Sequence, residues 1–222
     1  MAELLDDNIK TQVKEVFQDL KNPVEIAFFG DSQDGCEYCD QTNELASQVA
    51  SLREDLLTFH AYDLHTDHEQ AAKYKVDKAP GIVLLGKNGS ESIDYGIRFS
   101  GIPAGHEFTS LINDILVVSS GDSGLTPQTR EALAKLDKPV HLQVFVTPSC
   151  PYCPRAVVLA HQLALESPYI EAEMVESMEF AELAEKFNVS GVPHTIINDG
   201  KGEVVGAVPE AHLLEKILQA LA

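Results

Sequence analysis

Short apolar runs recur along this chain, with longer amphipathic or wholly apolar stretches between them. VEIAFF at 24–29 and VHLQVFV at 140–146 are rich in β-branched and aromatic residues, and each reads as a strand. A helix is expected after each. Leu45, Val49 and Leu52 fall on one face of the first, and AVVLAHQLALE at 156–166 is apolar nearly all round, which predicts a well-buried second. Further strands are expected at LLTFHAYDL (56–64) and YIEAEMVE (169–176), then in pairs at GIVLL and IDYGIRF and at HTIIN and EVVGAV. A helix opens each series, over about 7–20 and 126–136, with Thr126 as cap and Pro127 in the first turn of the latter. A short helix precedes each Ala-Pro or Val-Pro, and a closing helix ends each series. Helices alternating with strands, then a terminal hairpin, imply an α/β sandwich over a mixed sheet.

The series is written twice. LKNPVEIAFF at 20–29 matches LDKPVHLQVF at 136–145, KYKVDKAPGIVLL at 73–85 matches KFNVSGVPHTIIN at 186–198, and GIPAGHEF at 101–108 echoes VPEAHLL at 208–214. The order of features is the same in each half, so the chain reads as a tandem duplication of units near the common domain size. The joint is expected in the small, polar, glycine-rich SSGDSGL at 119–125, giving a first unit over 1–119 and a second over 120–222.

Charge narrows the class of partner. Asp and Glu number 35 against 16 Lys and Arg, a formal net charge of -19. Such a field repels nucleic acid and anionic membranes, so neither is expected as a partner. The start, MAELLDDNIK, is acidic and does not read as a secretory signal, and the strongest apolar runs are too short to span a bilayer. A soluble, cytoplasmic protein is the expectation.

All four cysteines lie in two Cys-x-x-Cys pairs, GCEYCD at 35–40 and TPSCPYCPR at 147–155. A reducing cytosol keeps thiols free, so conspicuous pairing there points to metal or catalysis. Zinc sites with four cysteines usually place their pairs about 12–20 residues apart, whereas Cys39 and Cys150 are 111 apart. A structural staple is also weak, because closing so short a loop removes little entropy from the unfolded chain. Thiol–disulfide exchange fits better. It needs a thiolate, an exposed attacking sulfur and a second sulfur within reach. A pair at the start of a helix meets these needs, since the helix N-terminus favours the thiolate and the second cysteine lies one turn on. Ala79-Pro80 and Val192-Pro193 follow 44 and 43 residues after Cys36 and Cys150. A proline opening a buried strand gives up a ladder donor, and a cis bond that turns the chain beside the site is one reason to keep it.

On these residues each half resembles a thioredoxin-fold domain, and CPYC is the sequence typical of glutaredoxins. The tandem arrangement, with VFVTPSCPYCPRAVVLAH and GIPAGHEF, is similar to the archaeal-type, glutaredoxin-like protein disulfide oxidoreductases. The fold this implies is α/β: two tandem thioredoxin-fold units, each a mixed β-sheet flanked by helices. The resemblance implies a cytoplasmic enzyme that reduces, forms or isomerises protein disulfides through mixed disulfides. No bound cofactor and no metal are expected, and recharging would come from an NADPH-dependent, thioredoxin-reductase-like flavoenzyme. By the same resemblance Cys36 and Cys150 are the nucleophiles, Cys39 and Cys153 resolve the mixed disulfides, and Pro80 and Pro193 are the cis prolines. Ala79 and Val192 would offer backbone groups to an extended substrate strand. Glu37, Tyr38, Pro151, Tyr152 and Arg155 border the cysteines and would tune them. An electron relay to a peroxiredoxin, like the tandem module of peroxiredoxin reductases, is similar in layout, but that module typically keeps one working pair and both are intact here. A zinc-binding structural module is the alternative from a different class.

One family feature is missing. Thioredoxins carry a buried aspartate six residues before the first cysteine, and those positions here are Gly30 and Val144. Asp63 and Glu176, each 17 residues before its proline, are candidate substitutes. The two sites are also expected to differ. Asp31, Asp34, Glu37 and Asp40 surround Cys36, whereas Cys150 has no nearby acid and Arg155 lies two past Cys153. Negative neighbours disfavour a thiolate and positive ones favour it, so the lower pKa and the more oxidising couple are expected at Cys150. His65 and His68 sit in an expected loop, and His194 would face the second pair if Val192 does.

Overall fold

The computed structural model describes residues 4–33, 35–89 and 91–222. The first series of elements is α1 (Asp7–Val16), β1 (Val24–Gly30), α2 (Cys39–Ser51), β2 (Leu57–Asp63), α3 (His68–Lys73), β3 (Gly81–Asn88), β4 (Glu91–Ser100) and α4 (Glu107–Ser120). The second is α5 (Pro127–Leu133), β5 (Val140–Val146), α6 (Cys153–Glu166), β6 (Ile170–Glu176), α7 (Ala181–Lys186), β7 (His194–Ile197), β8 (Gly202–Val205) and α8 (Glu210–Leu221).

Caps set the starts of the two opening helices. The Asp6 side chain accepts the N–H of Ile9, and Thr126 accepts that of Thr129 just before Pro127. Both helices are shorter than the sequence suggests. After Val16 the chain tightens into a 3₁₀ turn at 17–19, which buries Phe17 completely while Arg53 donates to the Phe17 carbonyl. A side chain thus takes up a carbonyl that another helical turn would have used. Strand β8 likewise stops at Val205, short of the expected 208.

The strands form one sheet in the order β2-β1-β3-β4-β6-β5-β7-β8. Each half contributes the same internal order, and the halves meet where β4 runs parallel to β6, with Ile97 opposite Ala172 and Ser100 opposite Val175. Gly96 allows this approach. Its φ is 79°, and a Cβ there would lie 2.7 Å from the Ile170 carbonyl oxygen. Strands β1 and β4 are both antiparallel to β3, and β4, β6 and β5 are mutually parallel. So β1 and β5 point the same way, and the two cysteine loops that follow them leave the same end of the sheet.

Period-two alternation divides the core into layers. Ile26 and Phe28 of β1, Val144 and Val146 of β5, and Ala172 and Met174 of β6 face a large cluster with α1, α2, α4, α5, α6 and α8. The intervening residues face the other way. Ala27 and Phe29 meet Ala71 of α3, and Phe145 and Val175 meet Ala184 of α7. Both cysteine-bearing helices, α2 and α6, therefore lie on the thicker face. Helix α4, from the first half, packs beside α6 there.

Candidate active site

In each half the strand ends, a loop follows, and a helix begins on the second cysteine. Cys36 and Cys39 are joined as a disulfide, as are Cys150 and Cys153, with Cα atoms 5.5 Å apart in both. The first cysteine sits in the turn just ahead of the helix, and Tyr38 or Tyr152 occupies the cap position. Pro154 is the second residue of α6. The N–H groups of a first helical turn have no intrahelical acceptor, so this proline removes no helix hydrogen bond.

The peptide bonds Ala79–Pro80 and Val192–Pro193 are cis. Each proline carbonyl accepts a hydrogen bond from a glycine, Gly101 to Pro80 at 2.8 Å and Gly206 to Pro193 at 2.7 Å. The turns after β4 and β8 thereby hold the proline loops. Among the described residues, no hydrogen bond within the molecule engages the backbone of Ala79 or Val192.

The two sites differ in exposure. Cys36 and Cys39 are half-buried, whereas Cys150 is 8% exposed and Cys153 is completely buried. The Cys153 N–H donates to Cys150 Sγ at 3.1 Å. A hydrogen bond of this kind favours the charged form of a thiol, against the desolvation that burial imposes. Tyr152 is 65% exposed and stands at the rim, and Arg155 is exposed on the first turn of α6.

The acids are distributed otherwise than the sequence suggests. At Gly30 a Cβ would lie 3.8 Å from Cys39 Sγ, so a side chain there would abut the sulfur, and this chain has none. Val144 is buried in the core that holds Cys150 and Cys153. Asp63 does not serve as a buried acid. It accepts N–H bonds from Ser32, His65 and Thr66, and these, Ser32 first, hold its carboxyl below the usual range. It is a loop cap. Glu176 is buried, and it lines a groove with Cys36, in the other half. Glu37 and Tyr38 line the same groove, and Glu37 heads the causes that raise the Tyr38 phenol. Asp40 is exposed in the first turn of α2, Asp31 pairs with His65 at 2.8 Å, and Asp34 lies outside the described residues. His194 pairs with Glu203 at 3.1 Å and shares a strand face with Ile196 of the α7 layer, the face opposite α6.

Sequence reasoning missed a polar seam in the interior. Glu107 opens α4 and is 1% exposed. Burial pushes its carboxyl up to about 7, with Ser110 pulling it back and Asp114 adding to the rise. The preceding residue, His106, donates its N–H to the Pro148 carbonyl, two residues before Cys150. Two turns along the same face of α4, Asp114 meets His161 of α6 at 2.6 Å, both fully buried. His161 Nε2 lies 3.2 Å from the Arg98 carbonyl, which can only accept, so Nε2 carries a proton. Burial raises the Asp114 carboxyl. Glu107 and Asp114, seven apart beside a small Ser110, were visible as a helical face; what sequence could not show is that α6 covers it.

Known proteins share this frame. A protein disulfide oxidoreductase from Aeropyrum pernix superimposes with a TM-score of 0.86 at 33% identity, covering 97% of this chain and 94% of that one. The chain belongs to the protein disulfide oxidoreductases. It is a thiol–disulfide oxidoreductase with two Cys-x-x-Cys redox sites on a thioredoxin fold. A family model described as a thioredoxin domain matches residues 140–219 of the oxidoreductase. The NTD_N/C domain of alkylhydroperoxide reductase AhpF from Enterococcus faecalis is also similar, with a TM-score of 0.85 at 27% identity over 96% of this chain and 99% of that one. The alkyl hydroperoxide reductase AhpF of Escherichia coli is 28% identical over 215 residues, 96% of this chain but 37% of that protein. The oxidoreductase thus spans little more than a third of the length of such relatives. Among the described residues, no group of three or more His, Cys, Asp or Glu is placed to hold a metal, and no helix is long and apolar enough to cross a membrane.

Proposed function

We propose that the oxidoreductase reduces, forms or isomerises disulfides of protein substrates in the cytoplasm, using its two units, 1–119 and 120–222, as two working sites. In the reducing direction the thiolate of Cys36 or Cys150 attacks one sulfur of a substrate disulfide. The substrate S–S bond breaks, a mixed disulfide forms, and the departing substrate thiolate takes a proton. Cys39 or Cys153 then loses its proton and attacks the mixed disulfide, which releases the second substrate thiol and leaves an enzyme disulfide. Two electrons and two protons pass to the substrate, and the reverse sequence oxidises it. Ala79 and Val192 receive the substrate as a short added strand.

One observation carries this reading. In both halves a cysteine pair at a helix start coexists with a proline loop whose preceding residue has no backbone hydrogen bond among the described residues. An NADPH-dependent, thioredoxin-reductase-like flavoenzyme is the proposed source of electrons. Similarity to AhpF of the alkyl hydroperoxide reductases favours a second reading, an electron relay to a peroxiredoxin. Trapping separates these readings and tests the roles. Cys39→Ser and Cys153→Ser variants, mixed with a disulfide-bonded protein such as insulin, should each accumulate a mixed disulfide through Cys36 and Cys150. Adducts with a peroxiredoxin alone would favour the relay, and no adduct at either cysteine would end the assignment.

A further inference from the structure

We propose that the first site selects a substrate segment with a lysine or arginine beside its disulfide cysteine, and that the second half of the chain supplies the acidic wall that selects it. The proposal rests on the disulfide-exchange reading above. Cys36, Glu37 and Ala79 of the first half and Glu176, Met178 and Glu179 of the second line one groove of about 640 Å³. The second set is fixed to the first. Gly101, whose N–H holds the Pro80 carbonyl, has a φ of 95°, and a Cβ there would lie 2.5 Å from Glu176 Cβ. The next residue, Ile102, donates its N–H to Glu179 Oε1 at 2.7 Å. A substrate strand lying along Ala79 in this groove therefore has both Cys36 and these carboxyls within the same cleft.

Among the described residues, the groove brings no counter-charge to this wall. Glu176 is 3% exposed, and its Oε2 accepts the N–H groups of Met178 and Glu179, but its buried Oε1 has no hydrogen-bond partner among the described residues. Burial, then Glu176 and Glu37, push the Glu179 carboxyl up to about 7 against the pull of the Ile102 N–H. The other titratable groups of the groove are Cys36, Glu37 and Tyr38, none of them cationic. Lys78 borders Glu179 from outside the groove but is committed to Asp77 and Glu173. A partly buried carboxyl cluster short of cations is stabilised by an ammonium or guanidinium brought in by the ligand. Met178, 75% exposed, offers an apolar surface to the stem of that side chain. The second site has no such wall in its own segment: residues 147–165 contain no acid and carry Arg155.

The test uses variants that keep one pair each. A Cys150→Ser/Cys153→Ser enzyme is given disulfide peptides that differ only in Lys, Ala or Glu beside the cysteine. At about pH 7.5 the Lys peptide should exceed the Glu peptide about tenfold in kcat/KM, mainly through KM. Glu179 ionises as pH rises through about 7, so the ratio should fall severalfold at about pH 6. Glu179→Gln should lower the Lys/Glu ratio at least threefold, a ratio that cancels any loss of folded enzyme. The Cys36→Ser/Cys39→Ser enzyme should show little preference. Equal turnover of Lys and Glu peptides at the first site, a ratio indifferent to Glu179→Gln, or the same preference at both sites would overturn the proposal. Failure to turn over any peptide, alanine included, would instead overturn the exchange reading and this proposal with it.

Discussion

The two cysteine pairs hold equivalent places in a repeated frame and meet different surroundings. Cys36 opens on a groove lined in part by the other half of the chain, while Cys150 is nearly buried and takes an N–H bond from Cys153. Sheet order explains the difference. Pairing of β4 with β6 brings the end of β6, where Glu176 stands, beside the turn that holds Pro80. In the second half the corresponding strand is β8, the last in the sheet, and among the described residues it pairs with β7 alone. Joining two copies edge to edge therefore makes their sites unequal by position, before any residue beside the cysteines diverges. Acids of graded exposure, Glu37 exposed, Glu179 half-buried and Glu176 buried, then line the groove of the first site, and behind the second site Glu107 and Asp114 are sealed between α4 and α6.

The largest expected effect breaks that sealed seam. His161→Leu leaves Asp114 buried without its partner, and removing one member of a buried pair typically costs about 3–5 kcal/mol. Denaturant unfolding should show a loss of that order. A loss below about 1 kcal/mol would mean that the seam is not a structural feature of the α4–α6 contact. A smaller effect comes from Glu107. An unfolded glutamate ionises near 4.5, whereas folded Glu107 keeps its proton to about 7. The folded state thus binds more protons in that window, and stability falls as pH rises through it. The cost above pH 7 is about 3 kcal/mol at most. Glu107→Gln should therefore gain on the parent protein as pH is raised from about 4.5 to 8, with urea midpoints as the readout. Parallel pH profiles would show that the Glu107 proton is not linked to folding.

Much of this frame was legible in the sequence. The strands and helices follow from apolar runs, caps and the internal repeat, and the Cys-x-x-Cys spacing drew attention to the sulfurs. The acids were legible only as residues. Glu176 stood out by its distance from Pro193, yet that spacing pointed to its own half, because nothing in a repeat tells which strand edges meet. Asp63, at the matching position, became a loop cap because Ser32, His65 and Thr66 present N–H groups to it. Glu107 carried no signal of its own in the sequence, and it is the packing of α4 against α6, with the His106 N–H bonded to Pro148, that buries it. Contacts between segments distant in sequence set the surroundings of all three, burying Glu107 and Glu176 and bringing the Ser32 N–H to Asp63, and periodicity does not report them.

The central claim is that position in the sheet makes the two sites electrostatically unequal, and thiol acidity measures this most directly. Fully reduced Cys150→Ser/Cys153→Ser and Cys36→Ser/Cys39→Ser enzymes would be alkylated over a range of pH, and the rate midpoint of the remaining nucleophile read for each. The account predicts a lower midpoint for Cys150 than for Cys36, by about one pH unit, or roughly 1.4 kcal/mol between the two thiolates. Equal midpoints, or a lower one at Cys36, would contradict it.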